Sequence, residues 1–513
     1  MTEQPRNRSW TEVYQAFKNP KVIALLFLGL SAGIPILLIF STLSVWLREA
    51  GVSRATIGFF SWAALGYAFK FIWAPLIDKL PVPILANRMG RRRSWLLVSQ
   101  AMIIGSLLLM ATSDPSQSLT TMAAFAILLG FSSATQDIVI DAYRIEVADT
   151  DLQGIMSSAY IAGYRVGMLI AGAGALELAG FFDGGSGYQL AAWSKTYAAM
   201  AVVMGIGVLT TFMISEPVGS QNLDENLRSG SDYFRFLGCF LCAASALVAV
   251  FLVTSEMAKE AQSLLITQLD LVPRLAGFLV EMIRLATALC AAAVTGYVLI
   301  RIKFVPKALV MDSYLGPFTD FFQRYGKTAL LILALISTYR IADVVMGVMA
   351  NVFYVDLGFE KQEIGRISKG FGLIMTLIGG FAGGALAVKY GVMRALMTGA
   401  ILAAASNLLF AVLAQVGNDI GFLMLVISAD NLSAGIASAA FVAYLSSLTS
   451  TSFTASQYAL FSSIMVLLPK VLAGYSGVMV ESIGYEAFFI GTAAMGIPVL
   501  VLIYLLSRAK PPA

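Results

Sequence analysis

Gly51-Val-Ser-Arg-Ala-Thr-Ile57-Gly58 and Gly358-Phe-Glu-Lys-Gln-Glu-Ile364-Gly365 are one turn written twice, with the same spacing from the opening glycine to the Ile-Gly pair. Each follows an apolar run that opens alike, Ala24-Leu25-Leu26 in the first case and Ala329-Leu330-Leu331 in the second. Gly154-Ile-Met-Ser157-Ser158, leading to Arg165-Val166, is echoed by Ala459-Leu-Phe-Ser462-Ser463, leading to Lys470-Val471. The interval from Ala24 to Ala329 equals that from Gly154 to Ala459, so two separate matches share one register. The chain is therefore an internal duplication, the mark of a protein assembled from two related bundles.

The material between the matches sets the solvent. The 513 residues are 58% hydrophobic and 12% charged, far more apolar than a globular protein of this length. The runs near 21–44, 93–112, 196–214, 275–300, 391–415 and 486–507 are nearly uncharged. Each approaches the roughly 20 residues that cross a bilayer as a helix. Membrane strands would instead show alternating segments of about 10 residues. The sequence predicts an all-α membrane protein with fourteen helices, near 21–46, 56–79, 93–112, 119–146, 152–181, 191–214, 232–256, 273–303, 328–355, 361–388, 391–415, 419–448, 453–482 and 486–508. An even number puts both termini on one side, and Lys and Arg gather on that side, which the positive-inside rule assigns to the cytoplasm. The expected organisation is a cytoplasmic segment 1–20, a six-helix bundle 21–217, a linker carrying an inserted helix pair 218–327, a second six-helix bundle 328–508 and a cytoplasmic tail 509–513.

These features narrow the function. The polar N-terminus runs straight into a span without a small-residue cleavage site, so that span is expected to be retained. Loops on the far side are short, which leaves no room for a soluble enzyme or receptor domain. Arg88, Arg91, Arg92 and Arg93 lie in a short loop between spans, which suits a topology anchor better than a nucleic-acid patch. Cys239, Cys242 and Cys290 sit in the inserted apolar pair of a chain without histidine, so they read as small packing residues, and no metal or cofactor is expected. The glycine-rich runs 163–174 and 372–384 follow no strand and lack Gly-Lys-Ser/Thr; they permit close helix approach rather than phosphate binding.

Charges inside spans need a reason, since each costs about 2.5–3.5 kcal/mol at mid-bilayer on insertion scales. In the fourth span, Gln136-Asp137-Ile-Val-Ile-Asp141-Ala-Tyr143-Arg144 puts Asp137 and Asp141 one turn apart on one face. With histidine absent, carboxylates are the residues left to carry protons near neutral pH, and Asp137 and Asp141 are the candidate coupling pair. Tyr164-Arg165 of the fifth span lies at similar depth, so a pair between Arg165 and Asp137 is geometrically allowed; a static ion pair is the competing reading. Lys70, Arg340, Asp343, Lys369, Asp430, Asn431 and Lys470 are further polar residues within spans. Arg165, Arg340 and Lys369 suit an anionic solute, which Arg grips with a bidentate fork, although neutralising Asp137 or Asp343 would occupy them equally well.

Two parallel six-helix halves with a mid-chain connection resemble the major facilitator superfamily. The superfamily's Gly-x-x-x-Asp-(Arg/Lys)-x-Gly-x-x-(Arg/Lys) loop motif finds a partial match at Asp78-Lys79 followed, after an insertion, by Gly90-Arg91-Arg92-Arg93. Its echo is Gly384-Ala-Leu-Ala-Val388-Lys389-Tyr390-Gly391-Val-Met-Arg394, with Val388 where the Asp belongs. Asp78, Lys79, Arg91, Arg92, Arg93, Lys389 and Arg394 are thus expected at a cytoplasmic gate whose charge pairs form in one conformation and break in the other.

Closer still, Ala68-Phe-Lys70-Phe-Ile-Trp73-Ala-Pro75-Leu-Ile-Asp78, Ala134-Thr-Gln136-Asp137-Ile-Val-Ile-Asp141-Ala, Gly163-Tyr-Arg165-Val-Gly-Met168 and Asp430-Asn-Leu-Ser-Ala-Gly435 resemble the AmpG family of muropeptide permeases. The resemblance implies proton-driven import of N-acetylglucosaminyl-1,6-anhydro-N-acetylmuramyl peptides across the inner membrane, a flux tied to cell-wall recycling and β-lactamase induction. The family's acidic residues of the fourth helix fall on Asp137 and Asp141 and its Gly-Tyr-Arg on Gly163 to Arg165, while Asp430 stands where Glu is expected. Gln136, Tyr160, Tyr164 and Asn431 would join Arg165, Arg340, Asp343, Lys369 and Asp430 around the solute. The implied partners are a small muropeptide, protons and lipid, with no nucleic acid, and the chain is expected to act as a monomer. Another anionic solute, such as an acyl-coenzyme A or a siderophore, is the alternative within this architecture; a membrane enzyme for lipid-linked sugars and a non-transporting sensor are the alternatives outside it.

Overall fold

In the computed structural model, the described residues are 10–53, 56–57, 60, 67, 69–148, 152–183, 188–217, 230–269, 271, 273–473 and 475–509; side chains at 10, 13, 230, 273–275, 278, 361–362, 365, 369 and 471 are not among them. No strand occurs among these residues. Residues Met1–Gln221 with Asp320–Ala513 form one compact unit and Asn222–Thr319 a second.

In the larger unit the chain enters through a short helix, Trp10–Phe17, and a first span made of α1 (Pro20–Ile39) and α2 (Ser41–Glu49). Asn19 caps α1, its side chain accepting from the Lys21 amide. Pro35 within α1 and non-helical backbone at Phe40 bend this span. A 3₁₀ turn, Lys70–Ile72, leads to α3 (Ala74–Lys79) at the end of the expected second span, part of which lies outside the described residues. Then come α4 (Arg91–Ala111), α5 (Leu119–Val147), α6 (Gln153–Leu169) continued by a π-helical turn at Ile170–Gly174, and α7 (Leu190–Met213). Two GxxxG patterns bring α1 and α6 together: a Cβ on Gly29 or Gly33 would overlap the carbonyls of Tyr160 or Tyr164, and one on Gly163 or Gly167 those of Leu26 or Leu30. This backbone-to-backbone contact replaces a hydrophobic driving force that lipid does not supply.

The smaller unit contains α8 (Gly230–Val253), α9 (Ser255–Leu269) and α10 (Pro273–Arg301). It is held by Arg284, whose guanidinium lies 4.0 Å over the Phe251 ring, donates to Thr254 Oγ1 at 3.1 Å and pairs with Glu281 at 2.8 Å. The three cysteines are free thiols.

The second half of the larger unit contains α11 (Thr328–Thr338), α12 (Ile341–Asp356), α13 (Gly372–Tyr390), α14 (Val392–Val416), α15 (Ile420–Leu448), α16 (Thr454–Ala473), α17 (Ser476–Ala494) and α18 (Gly496–Arg508). Twelve helices among the described residues are long and apolar enough to cross a membrane, where the sequence predicts fourteen spans. One expected span, 56–79, is only partly described. The other, 453–482, is divided: Thr454–Ala473 forms α16, and its last part belongs to the 33-residue helix Ser476–Arg508, which at 1.5 Å per residue would be about 50 Å long, well beyond a bilayer core of about 30 Å. Gly484, at φ 77° and ψ 167°, breaks that helix, so the expected boundary between 482 and 486 falls on a real break in the backbone. The expected ninth span, 328–355, is also interrupted, at Tyr339–Arg340 between α11 and α12.

Candidate functional site

Asp137, Asp141 and Arg144 fall at i, i+4 and i+7 on α5 and so line one face of that helix. All three are buried. Asp141 lies between two cations: Lys70 Nζ is 3.6 Å from Oδ2, and Arg144 Nη2 is 3.3 Å from Oδ1. Asp137, one turn away, accepts a hydrogen bond from the Tyr160 hydroxyl at 3.4 Å and is near enough to Lys70 for their charges to interact. Tyr67, which donates to Ser133 Oγ at 2.6 Å, also lies close to Asp137. The carboxylate pair expected from the sequence is thus a constellation of two acids, two cations and two phenols.

The allowed contact between Arg165 and Asp137 does not form. Gly163 and Gly167 press against α1, and Arg165, two residues from each, points about 200° away from that contact. Arg165 is exposed, and the residue whose charge it meets is Arg340 from the other half. Tyr160 and Tyr164 lie on the same stretch of α6, ring centroids 6.1 Å apart. Gln136 corrects another expectation: it is completely buried, its amide donating to Ser31 Oγ of α1 at 3.1 Å, so it braces helices rather than facing open space.

In the second half, Arg340 sits at the break between α11 and α12, pairs with Asp343 at 3.7 Å and donates to Ser438 Oγ of α15 at 3.0 Å. Asp430 lies near Asp343 and Tyr354. Asn431 is occupied by helix packing: its Oδ1 accepts from Thr376 Oγ1 at 2.9 Å and its Nδ2 donates to the Ile427 carbonyl at 3.0 Å. Lys369 falls in a π-helical stretch, Gly365–Phe371, and its side chain lies outside the described residues. Among the described residues, no group of three His, Cys, Asp or Glu is placed to hold a metal ion.

The loop-motif residues close the end of the bundle at which α3 finishes and α16 begins. Asp78 is buried and accepts from Arg92 Nη2 at 2.9 Å, the Ala455 amide at 3.0 Å, and the Ser456 amide and hydroxyl at 2.7 and 2.6 Å. A carboxylate from one half thereby caps the N-terminus of a helix of the other, where charge and unpaired amides favour an anion. Arg92, fully buried, forks between Asp78 and Glu146, with Nη2 2.5 Å from Glu146 Oε1, and Glu146 in turn accepts from Thr454 Oγ1 at 2.6 Å. Arg91 donates to the Asp78 carbonyl, and Lys79 lies 5.2 Å over the Phe453 ring. Arg93 differs from expectation: it donates to the Thr211 and Phe212 carbonyls at the end of α7, inside its own half.

The duplicated site on the opposite side of the junction is built otherwise. Val388 replaces the acid, Lys389 lies 5.1 Å over the Tyr390 ring, and Arg394 is exposed. There α6 and α13 meet through small residues instead. A Cβ on Gly154 would come within 2.9 Å of Ala387 Cβ, one on Gly384 would overlap Ser158 Oγ, and Ser158 donates to the Gly380 carbonyl at 2.7 Å. One contact between the halves is ionic and the other is close packing of small groups.

Glu146, Glu216 and Arg144 are residues of these contacts that sequence reasoning passed over. Glu216, just past α7, accepts from the Arg92 and Arg93 amides at 2.7 and 3.0 Å and so caps α4. Its signal was an acid at the end of a span facing an arginine-rich helix start. Glu146 and Arg144 sit two residues apart at the end of α5, and their spacing from Asp141 was the available clue.

Solved structures place this architecture. The chain aligns over 95% of its length with 98% of the transporter FucP in its outward conformation, at TM-score 0.59 and 9% identity. It aligns over 97% of its length with 96% of the proton:xylose symporter XylE, at TM-score 0.55 and 13% identity. The fold is that of the major facilitator superfamily.

Sequence relatives narrow the class. A Rickettsia felis transporter named AmpG 4 is 29% identical over 496 residues, covering 97% of this chain and 99% of its own. The anhydromuropeptide permease of Escherichia coli K12 is 28% identical over 494 residues, covering 96% and 81%. The family model described as acetyl-coenzyme A transporter 1 matches residues 21–180. The resemblance to AmpG permeases read from the motifs therefore extends over nearly the whole chain, which is a membrane-spanning transporter related to them.

Proposed function

We propose that this protein imports anhydromuropeptides from periplasm to cytoplasm across the bacterial inner membrane by proton symport, acting as a monomer with both termini in the cytoplasm. The observation that carries the reading is the near full-length similarity to an anhydromuropeptide permease. It is supported by Arg165 and Arg340, which approach one another from the two halves and suit the carboxylates of a peptide. Tyr160 and Tyr164 supply ring faces and hydroxyls beside them for sugar. Asp137 and Asp141 take the proton. Asp141 lies 3.6 Å from Lys70 and 3.3 Å from Arg144, and Asp137 accepts from Tyr160, so a rearrangement of these partners between conformations changes which form is held. Alternating access moves the site from one side to the other: the contacts described between the halves cluster where α3, α5 and α6 meet α13 and α16, and opening them admits solute to the cytoplasm. The resulting flux would supply cell-wall recycling and the signal for β-lactamase induction.

The match of residues 21–180 to the acetyl-coenzyme A transporter model favours a second reading, a carrier of an acyl-coenzyme A through the same cationic centre. Accumulation of radiolabelled N-acetylglucosaminyl-anhydro-N-acetylmuramyl tripeptide in right-side-out vesicles with an imposed inward proton gradient separates the two. Uptake that excess unlabelled muropeptide blocks and acetyl-coenzyme A leaves untouched supports the first; the reverse pattern establishes the second.

A further inference from the structure

We propose that Arg144 is the positioning residue that couples the carboxylate pair to the closure between the halves; this rests on the reading of Asp137 and Asp141 as the proton site. Arg144 is completely buried and touches four helices. Its Nη1 donates to Gln153 Oε1 at 3.1 Å and Ser157 Oγ at 3.2 Å, both on α6, and to Ser446 Oγ at 2.6 Å on α15. Its guanidinium lies 5.1 Å over the Tyr458 ring of α16. Two of these contacts cross from the first half to the second. Nη2 faces Asp141 at 3.3 Å, and Nε has no hydrogen-bond partner.

An arginine so placed is held by its acid. A buried guanidinium with one idle donor is costly unless a carboxylate offsets its charge, and Asp141 is the only carboxylate paired with it among the described ion pairs. The groups facing Asp141 are Lys70 from the turn before α3, Asp137 and Arg144 on its own helix, Tyr160 of α6 and Tyr458 of α16. While Asp141 is charged, Arg144 stays drawn to it and its fork ties Ser446 to Ser157. When Asp141 takes a proton, the guanidinium loses its counter-charge in a dry site and gains by moving toward water, which only opening of the halves admits. The stripe Asp137, Asp141, Arg144 thus runs from the proton site to the seam, and proton loading releases the seam.

The test uses the full chain with Cys239, Cys242 and Cys290 replaced by Ser and spin labels at Asn87→Cys and Thr451→Cys, exposed positions in opposite halves. The distance distribution is read across pH in lipid nanodiscs. The expected result is a short distance at high pH, a long one at low pH, and a long one at every pH in Asp141→Asn. Arg144→Lys keeps the charge but not the fork, and Ser446→Ala removes the acceptor across the seam without touching charge. Both are expected to lose at least tenfold of the pH-dependent change in the short:long ratio. If Arg144→Lys and Ser446→Ala follow the intact protein across pH, the proposal is overturned. An Arg144→Lys protein that elutes as an aggregate leaves Ser446→Ala to decide. Vesicle uptake unaffected by both Asp137→Asn and Asp141→Asn would instead sink the proton-site reading, an outcome distinct from a pH-dependent distance that ignores Arg144.

Discussion

Replacing Asp78 by Asn removes the charge that joins the two halves at the end of α3 while preserving shape. Asp78 receives one guanidinium and three donors from Ala455 and Ser456, all while buried. Hydrogen bonds to charged groups contribute about 1.5–3 kcal/mol each, and an anion at a partly buried helix N-terminus up to about 2 kcal/mol. Asn retains one oxygen that accepts, and Arg92 retains Glu146, so only part of this sum is lost. The bonds to Ala455 and Ser456 exist only when the halves meet, so their loss falls on the closed conformation rather than on folding. A net loss of about 2–3 kcal/mol changes the ratio of closed to open molecules by roughly 30- to 160-fold. Distances between spin labels at Asn87→Cys and Thr451→Cys report that ratio directly. A population that stays closed in Asp78→Asn, with unchanged melting temperature, would refute the assignment of Asp78 as a clamp between halves.

Other outcomes follow from the same contacts. Gly384→Ala sets a methyl against Ser158 and the Gly154 carbonyl across the seam and should shift the labels apart, whereas Gly163→Ala overlaps the Leu26 carbonyl within one half and should lower the melting temperature and membrane yield. Lys70→Met and Asp141→Asn should each destabilise the protein, and the double variant by less than their sum, with a coupling of about 1–3 kcal/mol in a thermal unfolding cycle. Outside the spans, the Ser116 hydroxyl holds the Asp114 carboxyl below the usual range, with help from the Ser116 amide and Tyr188 hydroxyl. That tie contributes stability above the unfolded carboxyl value of about 3.9 and loses it as pH falls through the lowered folded value, so the melting curves of intact and Asp114→Asn protein should differ at pH 5 and converge in stronger acid.

The duplication, the apolar spans and the stripe of acids on α5 were legible because each is written in local sequence. The boundary expected between 482 and 486 falls on Gly484, which ends the helix because its backbone takes a positive φ that glycine adopts readily. The partners of those groups were not legible. Asp78 is neutralised by backbone amides at Ala455 and Ser456, far along the chain, and no side-chain pattern announces an amide. A pair between Arg165 and Asp137 was allowed because the two match in depth; depth leaves rotation open, and rotation is set by Gly163 and Gly167 against α1. Gln136 was expected around the solute as an amide that could meet sugar, yet the face it occupies is the one α1 covers. The break at Tyr339–Arg340 follows no proline or glycine, so it too was invisible in the sequence.

The most direct test of the central claim measures both fluxes at once. In proteoliposomes with a pH-sensitive dye inside and no imposed gradient, anhydromuropeptide added outside should run inward and acidify the lumen. Asp137→Asn should abolish the acidification. Solute entry by the intact protein without any lumenal pH change would contradict proton coupling through these carboxylates.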